Sequence, residues 1–186
     1  MPDLASRRSP QALRTQWLKP LPPALRLVLH GEDGARRAAA LAWGVGFSGQ
    51  ACRAVTRDSR ATLWLGPDEY LLYGGAEADL KSQAATVGAL ETALNDTPHA
   101  LVDISHRQFA LEVSGPHAAT ILSGACPLDL DPSEFPIGMC TRTVLSKADI
   151  VLWRIREDAF HLEVWRSFAG YVMGMMREIA VEFYPG

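Results

Sequence analysis

The chain has 186 residues, of which 48% are hydrophobic and 21% are charged, and its formal net charge is −3. This length fits one domain or two small lobes that share an interface, and it can bury a core without disulfides or metals. The negative net charge excludes the surplus of positive charge that nucleic-acid binding requires. No apolar run reaches the length of a signal peptide or a membrane span, so we expect no membrane association.

The three cysteines, Cys52, Cys126 and Cys140, are an odd number and have no Cys-x-x-Cys spacing. This pattern predicts reduced thiols in a cytoplasmic protein, and it argues against a disulfide framework or a zinc site. The five histidines form no i, i+4 pair and lie near no cysteine at ligand spacing. We therefore predict no metal site.

Residues 1–23 are rich in Arg, Ser and Pro, which predicts an extended or disordered N-terminal arm. Trp17 is one of the few bulky apolar residues in this segment. One hypothesis is that Trp17 docks on a partner subunit, and the alternative is an unstructured terminus.

The segment after the arm alternates strand-like and helix-like patterns. We predict strands at 25–30 and 52–56, a hairpin of 62–65 with 70–73, and helices at 35–43 and 77–95. Gly44 to Gly49 spells a formal G-x-G-x-x-G, but a helix precedes it and a strand follows it. A dinucleotide site needs the reverse order, so we predict a simple connection and give Ser48 no catalytic role.

The stretch 101–122 is predicted to run strand, turn, strand, tight corner and short helix. Gly115 supplies the corner because it can adopt backbone angles closed to other residues. A Pro-containing loop follows at 126–138, and strands are predicted at 141–145, 150–154 and 159–165. A final helix, with Ser167 as its N-cap, places Phe168, Tyr171, Val172, Met175 and Ile179 on one apolar face.

A weak internal repeat relates the two parts of the chain. The segment that begins at Cys52 and contains Leu63-Trp64 recurs at Cys140 with Leu152-Trp153, at offsets of 88 (140 − 52) and 89 (152 − 63). We predict an α+β fold of two similar lobes, residues 24–97 and 98–186, packed as one compact unit because neither can bury its sheet face alone.

Asp103, Ser105 and His106 have the residue types of a catalytic triad. On a strand, however, Asp103 and Ser105 point to one side and His106 to the other, whereas a triad needs the histidine between its partners. We predict that Asp103 and Ser105 instead satisfy backbone donors near a strand end, and that His106 and Arg107 face solvent or a partner.

Several motifs, in order, resemble the gamma subunit of heterotetrameric sarcosine oxidase. They are Leu65-Gly-Pro-Asp-Glu-Tyr-Leu71, Asp103-Ile-Ser-His-Arg-Gln108, Ser114-Gly-Pro-His-Ala118, Cys126-Pro-Leu-Asp-Leu130, Cys140-Thr-Arg-Thr143, Leu152-Trp-Arg154 and Arg166-Ser-Phe-Ala169. The chain is more distantly similar to the aminomethyltransferase (glycine-cleavage T protein) superfamily. That resemblance implies two ferredoxin-like αβ halves packed together in an aminomethyltransferase-like folate-binding fold.

The resemblance also implies a function. It points to a non-catalytic bacterial gamma subunit that supports the alpha subunit while the complex demethylates sarcosine oxidatively to glycine and passes the one-carbon unit to tetrahydrofolate. The implied partners are the alpha, beta and delta subunits, which would carry FAD, FMN, NAD, tetrahydrofolate and zinc, and this chain would hold no cofactor and no active site. On the matched motifs, Arg107, Arg142 and Arg166 are the candidate partner contacts.

Two other functions remain open at the level of sequence. The first is a free-standing folate-dependent aminomethyltransferase-like protein with Asp129 as its acid, although Leu128 stands where those enzymes usually have an asparagine. The second is a binding module that associates with itself. The oligomeric state of the isolated chain and the true substrate of the complex, sarcosine or another N-methyl amine, do not follow from the sequence.

Overall fold

The computed structural model describes residues 17–75 and 80–184. Within these ranges the chain forms ten strands, four α-helices and a short 3-10 turn at Arg166–Phe168. The strands are β1 (Leu18–Pro20), β2 (Arg26–His30), β3 (Ala54–Arg57), β4 (Arg60–Gly66), β5 (Glu69–Tyr73), β6 (Ala100–Asp103), β7 (Gln108–Ser114), β8 (Cys140–Leu145), β9 (Ala148–Arg156) and β10 (Ala159–Trp165). The helices are α1 (Asp33–Trp43), α2 (Leu80–Leu94), α3 (Ala118–Ser123) and α4 (Ala169–Ala180). Residues 1–16 of the predicted arm and residues 77–79 of the predicted helix lie outside the described residues.

The strands form two antiparallel sheets of five strands each. The first sheet has the order β3-β4-β5-β2-β6, and the second has the order β1-β7-β10-β9-β8. Helices α1 and α2 cover the outer face of the first sheet, and α3 and α4 cover the outer face of the second. The inner faces of the two sheets pack on each other through a third apolar cluster. The predicted α+β fold of two ferredoxin-like halves is confirmed.

The alternation of side chains along β2 shows how one strand serves two layers. Leu27 and Leu29 are fully buried beneath α1 and α2. Val28, on the opposite face, packs into the cluster between the sheets, and Arg26 points in the same direction. Successive residues of a strand point to opposite faces, so this strand presents an apolar face to the helices and a mixed face to the second sheet.

The internal repeat corresponds to a shared order of elements in the two halves. Each half contains a three-stranded antiparallel run followed by a helix, β3-β4-β5-α2 and β8-β9-β10-α4. The equivalent starts of these runs pair with each other, since the Cys140 N–H donates to the Cys52 carbonyl at 3.0 Å and the Ala54 N–H donates to the Gly138 carbonyl at 2.8 Å. The repeated segments therefore meet where the two halves come together.

The two halves exchange their outermost strands. Strand β1 pairs with β7 at the edge of the second sheet, and β6 pairs with β2 at the edge of the first. The lobe limits 24–97 and 98–186 stay a prediction, but the first sheet itself extends to Asp103 and the second begins with β1. The second sheet therefore depends on β1, which precedes the first half in sequence. The first sheet depends on β6, which precedes the rest of the second half.

Two details of the predicted elements differ from the structure. Ser167 lies inside the 3-10 turn, and α4 begins after Phe168 without a side-chain cap, so the predicted Ser167 N-cap is wrong. Strand β3 begins at Ala54 because Cys52 has a positive φ of 56°, which does not continue a strand.

Gly115, with φ of 110°, forms the predicted corner. In the part of the chain that is described, no helix is long and apolar enough to cross a membrane.

Candidate functional site

Two of the predicted contact arginines lie together at the end of the second sheet. The guanidinium carbon of Arg107 is 5.0 Å from the centroid of the Trp165 ring. Arg166 donates from Nε to the His106 carbonyl at 3.0 Å, and its backbone N–H donates to the Arg107 carbonyl at 2.8 Å. These contacts join the turn before β7 to the end of β10, so both arginines are held at one surface.

Exposed aromatic side chains continue this surface. Trp165, Phe168 and Tyr171 keep 46%, 39% and 43% of their surface exposed. The Phe168 and Tyr171 rings meet edge to face at 6.4 Å, and the Tyr171 hydroxyl donates to Ser146 Oγ at 3.0 Å. We call this surface the aromatic–arginine face, and it comprises His106, Arg107, Trp165, Arg166, Phe168 and Tyr171.

The exposure of Phe168 and Tyr171 corrects the predicted orientation of the last helix. The buried residues of α4 are Ala169, Val172, Met176 and Ala180. Val172, Met175 and Ile179 of the predicted face do pack on the core. Phe168 lies in the 3-10 turn before α4, and the prediction is wrong for Phe168 and Tyr171. The small residues Ala169 and Ala180 let the helix approach the sheet, and the aromatic rings face outward.

Arg142 has a different environment, although it was predicted as the third contact arginine. Its Nη1 and Nη2 atoms lie 2.7 and 2.5 Å from the two carboxylate oxygens of Glu69. This bidentate pair joins β8 of the second sheet to β5 of the first. The charge of Arg142 is therefore balanced within the chain.

A cleft of about 250 Å³ lies between the two sheets and reaches Arg107 and Arg142. Its walls include Val28, Leu71 and Ile150, which are apolar side chains from both sheets. The Oε1 atom of Gln108 is buried and has no hydrogen-bond partner among the described residues. The cleft thus opens beside the aromatic–arginine face.

A buried ionic cluster lies deeper between the sheets. Arg26 and Glu163 are 2% and 1% exposed, and Nε of Arg26 is 2.8 and 2.7 Å from the two oxygens of Glu163. His161 Nε2 is 2.7 Å from Glu163 Oε1. Burial alone would raise the pKa of Glu163, but the hydrogen bond and charge of His161 and the charge of Arg26 outweigh it and hold that pKa below its usual range. The cluster joins β2 to β10 as a charged pair.

Sequence reasoning missed this cluster, although β10 carried a signal. His161 and Glu163 alternate with Phe160, Leu162 and Val164, so two polar residues share one face of an otherwise apolar strand. That pattern indicates a polar contact with whatever covers the face. It does not identify Arg26, which lies far away in sequence.

Asp103 and Ser105 have the structural role predicted for them. Asp103 Oδ1 accepts the backbone N–H of Ser105 at 2.8 Å, and Ser105 Oγ accepts the backbone N–H of Arg26 at 2.9 Å. His106 is exposed, as expected. The three residues are therefore not arranged as a triad.

Trp17 is enclosed by its own chain. Its side chain is 5% exposed, and its ring stacks on that of Tyr184 with the centroids 5.9 Å apart. Its carbonyl accepts the Ser114 N–H at 2.7 Å. The structure thus gives Trp17 an intramolecular role, and its contact with a partner subunit stays a prediction.

Asp129 lies at the rim of an open cleft of about 870 Å³ that also contains Asp131 and Asp158. Its Oδ1 accepts the Asp131 N–H at 2.9 Å, which stabilises the loop.

The Gly44–Gly49 segment follows α1 and precedes β3, so the order predicted against a dinucleotide site is confirmed. Ser48 Oγ forms local hydrogen bonds with the backbone of Gln50.

The metal-ligating residue types are dispersed. Considering residues 17–75 and 80–184, no three His, Cys, Asp or Glu side chains lie close enough together to hold a metal ion. Cys52, Cys126 and Cys140 are free thiols. Burial raises the pKa of the Cys140 thiol to about 12, which leaves it protonated.

Residues 31–182 match the model of the sarcosine oxidase, gamma subunit family. The chain belongs to this family. Among curated members, the sarcosine oxidase subunit gamma of Corynebacterium sp. (strain P-1) is 32% identical over 126 residues, and that of Arthrobacter sp. is 31% identical over 126 residues. Each alignment covers 68% of this chain but 59% of the relative, so the similarity spans less than two thirds of those proteins.

Solved structures agree with membership of the gamma subunit family. A chain of the heterotetrameric sarcosine oxidase from Corynebacterium sp. U-96, in complex with pyrrole 2-carboxylate, matches with a TM-score of 0.83 and 28% identity over 97% of both chains. The glycine cleavage system aminomethyltransferase T from Bartonella henselae matches with a TM-score of 0.64 and 14% identity, over 88% of this chain and 46% of that one. The second likeness is one of fold alone.

Proposed function

We propose that this chain is the non-catalytic gamma subunit of a heterotetrameric sarcosine oxidase. The observation that carries the proposal is the match over 97% of both chains to a chain of such an oxidase. In this role the chain supports the alpha subunit while the complex converts sarcosine to glycine and transfers the one-carbon unit to tetrahydrofolate. The proposed partners are the alpha, beta and delta subunits.

The internal use of the polar residues agrees with a supporting role. Asp103 and Ser105 bond to the backbone, and the buried carboxylate of Glu163 is paired with Arg26. The Gly44–Gly49 loop does not fit a dinucleotide, because a helix precedes it. We therefore propose that FAD, FMN, NAD, tetrahydrofolate and zinc bind to the partner subunits.

The free thiols are consistent with a cytoplasmic location, which we propose for the complex. Arg107 and Arg166 are exposed and have no paired carboxylate among residues 17–75 and 80–184, and we keep them as proposed interface residues. Arg142 and Trp17 already have partners within the chain. A contact of either with another subunit is the weaker part of the proposal.

Co-expression tests the proposed function. The tagged chain is produced with the alpha, beta and delta subunits of its own organism, and sarcosine-dependent peroxide formation is measured on the purified material. We expect all four subunits to co-purify in fixed ratio and to be active, whereas the chain alone should oxidise no sarcosine. Recovery of the tagged chain without the other subunits, or turnover by the chain alone, would contradict the proposal.

A further inference from the structure

We propose that the aromatic–arginine face binds an acidic segment of the partner subunit. The inference rests on the proposed function, because it names the chemistry of the surface that a gamma subunit meets. It commits to one occupant, a protein segment with carboxylate side chains beside apolar ones.

The charges of the face point to an acidic partner. Three other surface arginines form ion pairs within the chain, namely Arg36 with Asp33, Arg142 with Glu69 and Arg156 with Glu112. Arg107 and Arg166 form no ion pair with any carboxylate of the described residues. Complementary charge guides association and excludes wrong partners, so an uncompensated arginine pair favours carboxylates on the other side.

The two arginines are also preorganised for this contact. Arg107 is held over the Trp165 ring, and Arg166 uses Nε to bind the His106 carbonyl. The terminal nitrogens of Arg166 have no hydrogen-bond acceptor in the described part of the chain, so they remain available for a bidentate contact with a carboxylate. Side chains that are already oriented lose less conformational freedom on binding.

The aromatic side chains supply the apolar part of the contact. Trp165, Phe168 and Tyr171 are exposed, and the rings of Phe168 and Tyr171 are in contact. Aromatic residues and arginine are enriched in the energetically important centres of protein interfaces. A second copy of this chain fits the face less well, because a twofold contact would place the same arginines of both copies together. An acidic segment that also carries apolar side chains can contact both the aromatic rings and the arginines.

The test compares a charge reversal on the face with a control outside it. The double variant Arg107→Glu/Arg166→Glu is compared with Arg156→Gln, whose arginine is exposed and already paired with Glu112. Affinity for the co-expressed alpha, beta and delta subunits is measured at low and high salt. We expect the reversal to weaken the complex by about 30-fold or more and to reduce its salt dependence, and we expect Arg156→Gln to change the affinity by less than about threefold.

A second variant keeps the test decisive if the reversal impairs folding. Arg107→Gln/Arg166→Gln removes the charges but preserves the side-chain length, and its thermal unfolding is checked against the wild type. Loss of binding by this folded variant also supports the inference. Wild-type binding that both double variants retain would overturn the inference and leave the proposed function intact.

Two further results would count against the acidic segment. If the wild type binds none of the subunits, the proposed function fails and the inference fails with it. If the double variant loses self-association, or loses adsorption to vesicles that contain phosphatidylserine, while it keeps its subunits, the face serves a second copy or a lipid surface. Either result overturns the proposed occupant.

Discussion

Arg26 and Glu163 place opposite charges between two sheets, where each would be costly alone. Removing an ion from water costs several kcal/mol, and the pair compensates only because the geometry is close and His161 adds a further hydrogen bond. The pair therefore adds little net stability over an apolar substitute. It fixes how the sheets lie on each other, because a shifted arrangement would leave a buried charge without a partner.

Replacing Glu163 with Gln should destabilise the protein by about 3 kcal/mol, because Arg26 would then be buried without a counter-charge. The measurement is the free energy of unfolding in urea at pH 7. Glu112→Gln is the matched control, since Glu112 pairs with the exposed Arg156 and should cost less than about 1 kcal/mol. Equal effects of the two substitutions would contradict the interpretation.

The difference in unfolding free energy between the wild type and Glu163→Gln should decrease as the pH falls. Because the folded-state pKa of Glu163 lies below its usual range, the stability that this carboxylate contributes is present above the pKa of the unfolded chain, about 4.3. It is lost as the pH falls through the lower, folded-state value. The wild type and Glu163→Gln should therefore converge in stability at acid pH, and a constant difference from pH 7 to pH 3 would be inconsistent with this.

Individual residue roles could be predicted from sequence where the partners are local. Asp103 and Ser105 were assigned to backbone donors because short polar side chains near a strand end commonly bond nearby. The pairing of Arg26 with Glu163 could not be predicted, since it joins strands of different sheets. The sequence also gave no sign that Arg142 forms an ion pair within the chain and Arg166 does not, because Glu69 comes close to Arg142 only in the folded chain.

At the level of elements, the hydrophobic period predicted the central strands and helices. For α4 it was wrong only for Phe168 and Tyr171, which are exposed; Phe168 belongs to the 3-10 turn at Arg166–Phe168 that precedes the helix. It also gave no indication of β1, because three residues with a proline have no recognisable strand period. Strand β1 forms because β7 offers an open edge.

Trp17→Ala should lower the free energy of unfolding by about 3–5 kcal/mol, because it removes a large side chain from the core of the second sheet. Lys19→Ala, two residues further along the chain and exposed, is the control and should have little effect. The measurement is urea unfolding of the isolated chain. If Trp17→Ala leaves the isolated chain unchanged and weakens only the complex with the other subunits, then Trp17 serves the partner contact instead.

At the level of the whole molecule, the repeat of Cys52 and Leu63-Trp64 at Cys140 and Leu152-Trp153 predicts two similar lobes that pack together. Two similar lobes with apolar inner faces must pack together, and they do. The exchange of β1 and β6 was not foreseen. In the sequence, β1 lies next to the first half and β6 lies next to the second half. Only long-range pairing places β1 in the second sheet and β6 in the first.

Because β1 and β6 each pair with the other half, we expect that the two lobes will not fold separately. Fragments 1–97 and 98–186, expressed alone, should show no cooperative thermal unfolding, because each lacks an edge strand and exposes its inner face. Expressed together they should assemble, since β1 and β6 pair across the cut. Circular dichroism and size-exclusion chromatography measure both outcomes.

A shortened fragment supplies the control for this experiment. Fragment 24–97 lacks β1, so with 98–186 it should assemble less stably than fragment 1–97 does. Cooperative unfolding of either lobe on its own would contradict the dependence of each half on the other.

The position of β1 also bears on how the protein is made. Among the strands of the described residues, Leu18–Pro20 leaves the ribosome first, yet its hydrogen-bonding partners on β7 extend to Val113. This strand must wait unpaired while the whole first sheet, including β6, is synthesised. Translation therefore completes the first sheet before β1 has an edge on which it can pair.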